Sequence, residues 1–226
     1  MAELILALDL PSGAAALKLL DRISTIRWVK VGSVLMTRAG APLLQELRTR
    51  GLQVFLDLKW HDIPNTVQGA VAAAREQGVG MATVHTLGGR QMMAAAAEAA
   101  GADLGVVGVT VLTSHAGASY GDAIGREGVD LKVEVVRQAA NAVTAGLRGI
   151  VCSPLEVAAV RPLLPANTWI VVPGIRRGGE SADDQTRVAG PAAAVAAGAT
   201  HLVVGRPILA SPDPAGTVAR FLEEMR

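Results

Sequence analysis

Eight short apolar runs recur along the chain, each followed by a longer Ala-rich or polar stretch, and this alternation restricts the fold more than any other feature. The runs begin at Leu4-Ile5-Leu6-Ala7-Leu8, Trp28-Val29-Lys30-Val31, Val54-Phe55-Leu56 and Met81-Ala82-Thr83-Val84. They continue at Leu104 to Leu112, Gly149-Ile150-Val151-Cys152, Trp169-Ile170-Val171-Val172 and His201-Leu202-Val203-Val204. Short apolar runs with β-branched residues read as strands buried on both faces, the pattern of a parallel sheet. The stretches Ala41 to Arg50, Thr66 to Gln77, Gln91 to Ala100, Lys132 to Ala145 and Ala192 to Ala197 read as helices. Gly51, Gly78, Gly101, Gly146 and Gly198 follow them as stop signals. Eight strand-helix units in 226 residues predict an α/β fold, a single (β/α)8 TIM barrel spanning 1–226 as one domain. A doubly wound open sheet is the alternative, but the first strand runs into Asp9-Leu10-Pro11-Ser12-Gly13 and not into a Gly-rich dinucleotide turn.

Composition removes several classes of function. Half the residues are hydrophobic and mean hydropathy is +0.37, yet no apolar stretch approaches the length of a membrane span. The N-terminus shows no basic segment followed by an apolar core and cleavage site, so a cytoplasmic protein is expected. The formal net charge is +1 with acids and bases intermixed, which gives no footprint for nucleic acid. The single Cys152 rules out an internal disulfide and a cysteine-based metal cluster.

Residues 57–62, Asp-Leu-Lys-Trp-His-Asp, close the third strand with acid, base and acid. Alternation puts Asp57 and Lys59 on one face, about 7 Å apart along the backbone, and Val54, Leu56 and Leu58 on the other. Two opposite charges turned into a barrel interior are costly unless they compensate one another. Lys30 is one strand away, and Lys30, Asp57, Lys59 and Asp62 sum to zero charge, so an alternating array could be satisfied internally. Such buried charge clusters are more often functional than structural.

A barrel active site lies at the carboxyl ends of its strands, and polar residues gather there: Asp9, Lys30, Asp57, Lys59, Asp62, His85, Thr113, Ser153, Arg176 and Arg206. Val203-Val204-Gly205-Arg206 has the layout of a phosphate grip, with a glycine that admits an anion to the backbone and a guanidinium beside it. Arg176 is a second candidate, although Arg177 next to it could take that role. The polar segment 175–190 reads as a closing lid with Gln185 as a donor. Ser114 to Gly128 reads as a Gly-rich connection at the same mouth. His201 starts strand eight at the opposite end and reads as structural, and His115 reads as exposed in a mobile loop. His61 and His85 lack a third ligand for a metal, and Cys152 reads as a small buried hydrophobe.

Taken together, Leu8-Asp9, Val29-Lys30-Val31-Gly32, the stretch 57–66, Val109 to Ser114, Pro173 to Arg176, Asp184-Gln185 and Val204 to Pro207 resemble the bacterial orotidine 5'-phosphate decarboxylase family over nearly the whole chain. The stretch 57–66 is the specific part, because Asp-x-Lys-x-x-Asp alone also occurs in sugar-phosphate relatives that depend on a divalent metal. Trp60 stands where the family more often has Phe, and Thr86-Leu87 replaces a smaller pair. The resemblance implies decarboxylation of orotidine 5'-phosphate to uridine 5'-phosphate with no cofactor and no metal. It implies that Lys59 stabilises and protonates the C6 carbanion, that Asp57 lies against the substrate carboxylate and holds Lys59, and that Lys30 and Asp9 bind ribose hydroxyls. Thr113 would lie near the pyrimidine, and Arg176, Gln185, Gly205 and Arg206 would hold the 5'-phosphate. Asp62, Ile63 and Thr66 would come from the other subunit of a homodimer with a shared site. Neither nucleic acid nor membrane is an expected partner.

Overall fold

The computed structural model describes residues 2–177 and 187–226. In its first half, strands and helices follow as β1 (Glu3–Ala7), α1 (Gly13–Leu20), β2 (Trp28–Gly32), α2 (Ser33–Thr49), β3 (Gln53–Trp60), α3 (Pro64–Glu76), β4 (Met81–His85) and α4 (Gly89–Ala100). The second half contributes β5 (Gly105–Val109), α5 (Gly117–Ile124), α6 (Leu131–Thr144), β6 (Gly149–Val151) and α7 (Val157–Val160). It ends with β7 (Trp169–Val172), α8 (Pro191–Ala196), β8 (His201–Val204), α9 (Arg206–Leu209) and α10 (Pro214–Glu224). The eight strands are parallel and close on themselves, β8 pairing with β1 through Glu3–His201 to Leu6–Val204. This is the barrel expected from the eight apolar runs.

Alternation along each strand produces two apolar layers. Leu4, Leu6, Val29, Val31, Val54, Leu56, Ala82 and Val84 face outward and are covered by the helices. Ile5, Ala7, Trp28, Phe55, Met81, Val107, Val171 and Val203 fill the interior. At the amino-terminal end Trp28, Trp169 and His201 plug the barrel, with Trp28 and Trp169 edge to face at 6.5 Å. Glycine makes room for this plug, since a Cβ at Gly105 would come within 2.1 Å of the Trp169 ring and one at Gly149 within 2.2 Å of the Trp169 carbonyl. His201 is thus structural, as its place in the sequence implied.

The helices differ from expectation where glycine interrupts them. The helix read from Ala41 is the second segment of α2, which starts at Ser33 and breaks at Gly40 (φ 59°) ahead of Pro42. The connection 114–128, read as Gly-rich loop, contains α5, whose Gly121 is required by packing: a Cβ there would meet the Arg126 carbonyl at 2.4 Å. All five glycines read as helix stops adopt positive φ. Side-chain caps fix three helix starts, Ser12 for α1, Asp130 for α6 and Asp213 for α10.

Candidate active site

Interior positions change character over two residues as the strands rise. Trp28 is followed on the inner face by Lys30, Phe55 by Asp57, and Ala7 by Asp9 just past the end of β1. These residues converge on a cavity of about 330 Å3 at the carboxyl ends of the strands, within the usual range for small-ligand sites. Four charged groups form a chain along one wall. Lys30 Nζ lies 3.0 Å from Asp9 Oδ1 and 3.5 Å from Asp57 Oδ2, and Lys59 Nζ donates to Asp57 Oδ1 at 2.9 Å. Lys30 and Asp57 are each 12% exposed, whereas Lys59 is 40% exposed and reaches into the open space.

Burial by itself would raise the Asp57 pKa, since a dry site disfavours the carboxylate. The neighbouring Lys30 and Lys59 charges, with hydrogen bonds from Lys59 and Thr83, overturn that penalty and hold Asp57 below the ordinary carboxylate range. An ion pair in this setting stays charged, and each carboxylate of the wall already has an ammonium against it.

The rim that follows β7 and β8 is cationic and glycine-bearing: Pro173, Gly174, Arg176, Gly205 and Arg206 line the cavity there, and Gly205 lies beside Asp9. Arg176 and Arg177 lie differently: Arg176 is 9% exposed and lines the cavity. Arg177 instead pairs with Glu224 of α10 at 2.5 Å and lies over Phe221. Thr113 and Ser114 close a third side. Asp9, Lys30, Asp57, Lys59, Thr113, Arg176, Gly205 and Arg206 are therefore brought together.

Four expected residues are not. Gln185, with most of the lid segment, lies outside the described residues. Asp62, Ile63 and Thr66 are exposed at the start of α3. The Asp62 carboxylate accepts the Ile63 N–H at 2.6 Å and makes no ion pair among the described residues, so within one chain Asp9, not Asp62, is the fourth member of the array. Ser153 also leaves the rim: it is wholly buried, and its hydroxyl accepts the Leu155 N–H. His115, read as exposed, is half-buried against Tyr120 with Nδ1 3.2 Å from Ser119.

One group near the site, Thr83, went unremarked in the sequence. Thr83 on β4 touches both Asp57 and Lys59; its only signal was one polar residue inside an apolar run. His85 stacks on His61 at 5.6 Å, and burial, then the His61, Lys59 and His115 charges, push it down to about 4. Among the described residues no group of three or more His, Cys, Asp or Glu is arranged to hold a metal ion. Cys152 is fully buried beneath the cavity, and burial pushes its thiol up.

A second groove of about 510 Å3 opens beside the array, sharing Asp9, Lys30, Asp57 and Lys59 and extending over Ser33, Val34 and Arg38. Val34 is 62% exposed at its edge, and Ile63 on the neighbouring loop is 65% exposed.

The whole-chain comparisons agree with this geometry. A family model described as orotidine 5'-phosphate decarboxylase / HUMPS family matches residues 2–221. The orotidine 5'-phosphate decarboxylase of Halorhodospira halophila is 49% identical over 99% of this chain and 95% of its own length. That of Opitutus terrae is 46% identical over 99% and 98%. The crystal structure of orotidine 5'-phosphate decarboxylase from Lactobacillus acidophilus superposes with a TM-score of 0.89 at 32% identity, covering all of both chains. The chain belongs to the orotidine 5'-phosphate decarboxylase / HUMPS family.

Proposed function

We propose that this protein decarboxylates orotidine 5'-phosphate to uridine 5'-phosphate and CO2, the last step of de novo UMP synthesis, in the cytoplasm and without a cofactor. One observation carries the reading: a charge chain Asp9–Lys30–Asp57–Lys59 that lines the same cavity as Arg176 and Arg206. The C6–carboxylate bond breaks, CO2 leaves, and the electron pair stays at C6. The Lys59 ammonium meets that charge once bound substrate displaces water from the cavity, where a fixed cation is worth far more than in water. Its N–H bond then breaks to protonate C6, and the amine regains a proton from solvent.

Asp57 holds Lys59 by the 2.9 Å hydrogen bond and lies against the departing carboxylate. Lys30 and Asp9 take ribose hydroxyls, and Thr113 faces the pyrimidine. Arg176, Gly205, Arg206 and Gln185 grip the 5'-phosphate, so binding energy far from C6 is used at the reacting carbon. The active unit is a homodimer in which each subunit lends Asp62, Ile63 and Thr66 to the other. Supporting this are Asp62, which makes no ion pair among the described residues, the exposed Ile63, and the groove that opens beside the array toward Arg38.

The test follows loss of orotidine 5'-phosphate ultraviolet absorbance in excess chelator, with turnover expected. Activity that chelator abolishes overturns the cofactor-free reading, and no turnover of any kind overturns the assignment. Mixing inactive Lys59→Ala and Asp62→Ala proteins should restore activity through hybrid dimers, and silence despite proven subunit exchange counts against the shared site.

A further inference from the structure

β3 and β4 fall out of step at the site. Leu56 pairs with Ala82 and Trp60 with Val84, so residues 57–59 face the single residue Thr83. A bulge of this kind removes ladder partners and re-aims side chains. Thr83, wholly buried, fills the gap with its hydroxyl. Oγ1 accepts the Lys59 N–H at 2.8 Å and donates to Asp57 Oδ1 at 3.1 Å; one hydrogen and two lone pairs allow both at once. Asp57 Oδ1 also accepts from Lys59 Nζ at 2.9 Å. Amide, hydroxyl, carboxylate and ammonium thus close a ring that begins and ends on the same lysine.

Lys59 has φ 50°, the single positive φ of a non-glycine residue among those described. An L-residue stays there only when its surroundings fix it. Lysine also carries its charge on a flexible four-carbon stem, so a defined ammonium position needs both ends of that stem held. The Thr83 hydroxyl holds both: the Cα end through the amide, and the Nζ end through Asp57.

We infer that Thr83 is a positioning residue for the reaction, its buried hydroxyl keeping the Lys59 backbone in the left-handed region and orienting the Asp57 carboxylate so that the ammonium is aimed into the cavity. This rests on Lys59 being the group that meets C6. Release of the amide would let φ relax, swing the Cα–Cβ bond and move Nζ, and a displacement of about 1 Å at a reacting group costs on the order of 100-fold in rate.

Thr83→Val removes the hydroxyl at nearly constant volume, and Thr83→Ser keeps it. The Val variant should lose about 100-fold in kcat while KM and product affinity stay within about threefold, and Ser should recover most of the loss. Because the hydroxyl favours the charged Asp57, the acid limb of the kcat/KM profile should also move to higher pH in the Val variant. A purely structural role predicts lower stability with kcat and limb unmoved, and that outcome overturns the inference, as does equal damage from Val and Ser. Should Thr83→Val not fold, Thr83→Ala is read by the same criteria. A wild type that fails to turn over the substrate sinks the functional reading instead. The backbone claim is then judged from a crystal structure of the Val variant, where Lys59 leaving positive φ supports it and Lys59 remaining there refutes it.

Discussion

The stability of the wall behind the cavity should depend on one buried carboxylate. Glu134 on α6 is 4% exposed and collects five donors: Arg137 through Nη2 and Nε, Gln138 Nε2 at 2.9 Å, Tyr120 Oη at 3.2 Å and Arg126 Nη1 at 3.5 Å. Gln138 also donates to Tyr120 on α5 and accepts from Thr86, just past β4, so the network ties α5 and α6 to the mouth. The Arg137 hydrogen bonds, ahead of the opposing burial, bring Glu134 from 4.5 to about 2. A folded pKa below the unfolded one gives stability that is complete above about pH 5 and disappears as pH falls toward 2. At 1.36 kcal/mol per unit, the span corresponds to about 3 kcal/mol, of which about 2 kcal/mol is gone by pH 3. That is an upper figure, because Arg137 and Arg126 reach solvent, where ions screen them. Glu134→Gln keeps the shape and removes the charge. Urea unfolding should place it below wild type at pH 7 by up to about 3 kcal/mol, with the gap closing to about a third of its pH 7 value at pH 3. On melting, the pH 7 deficit corresponds to at most about 6–12 °C in a domain of this size. A gap equally wide at both pH values would refute the reasoning, because the loss would then come from packing and not from the carboxylate's charge.

Three further outcomes are expected. Lys59→Ala should abolish decarboxylation while product binding stays measurable; activity within about tenfold of wild type defeats the assigned role. Arg206→Ala should weaken uridine 5'-phosphate strongly and phosphate-free uridine hardly at all, as competition assays would report; equal weakening removes Arg206 from the phosphate grip. Glu156 and Arg187 form a buried pair in which Arg187 Nη1 meets Glu156 Oε1 at 2.6 Å, and Arg187 also donates to the Leu112 carbonyl at 3.0 Å. Glu156→Ala should cost about 3–5 kcal/mol by stranding the guanidinium, with Glu156→Leu combined with Arg187→Met recovering part of it; a single-variant loss under about 1 kcal/mol in urea unfolding contradicts that.

The strands were legible because burial on both faces leaves an unbroken apolar run, and the order of those runs is the order of the barrel. The cavity residues were legible for the same reason: Lys30 and Asp57 are charges on the inner face of otherwise apolar strands. What the sequence hid depends on partners distant in the chain. Thr83 reads as an ordinary strand residue until the β3–β4 bulge gives it the Lys59 amide. The Glu134 network joins residues 86, 120, 126, 134, 137 and 138, and no spacing announces it. α5 was hidden by its glycines, which count against a helix in isolation by about 1 kcal/mol each. Gly121 is tolerated there because the close approach of the Arg126 carbonyl leaves no room for a side chain.

The inner face of the barrel places structure and chemistry on one ladder. Trp28, Trp169 and His201 fill the lower end, where burial brings His201 down to about 4 and so keeps it uncharged at neutral pH. Two residues higher, about 7 Å along each strand, the ladder carries Lys30 and Asp57. Within one chain Asp9, Lys30, Asp57 and Lys59 sum to zero. In the proposed reaction the substrate carboxylate brings one more negative charge to the site. That charge passes to C6 as neutral CO2 departs, and proton transfer from Lys59 then cancels it at the carbon. Net charge in the cavity is therefore unchanged through bond cleavage, and only its position shifts toward Lys59. A site of this kind needs little rearrangement of its dipoles during the reaction, which is why rigid placement of the ammonium, and not its mere presence, is the property the surrounding strands have to supply.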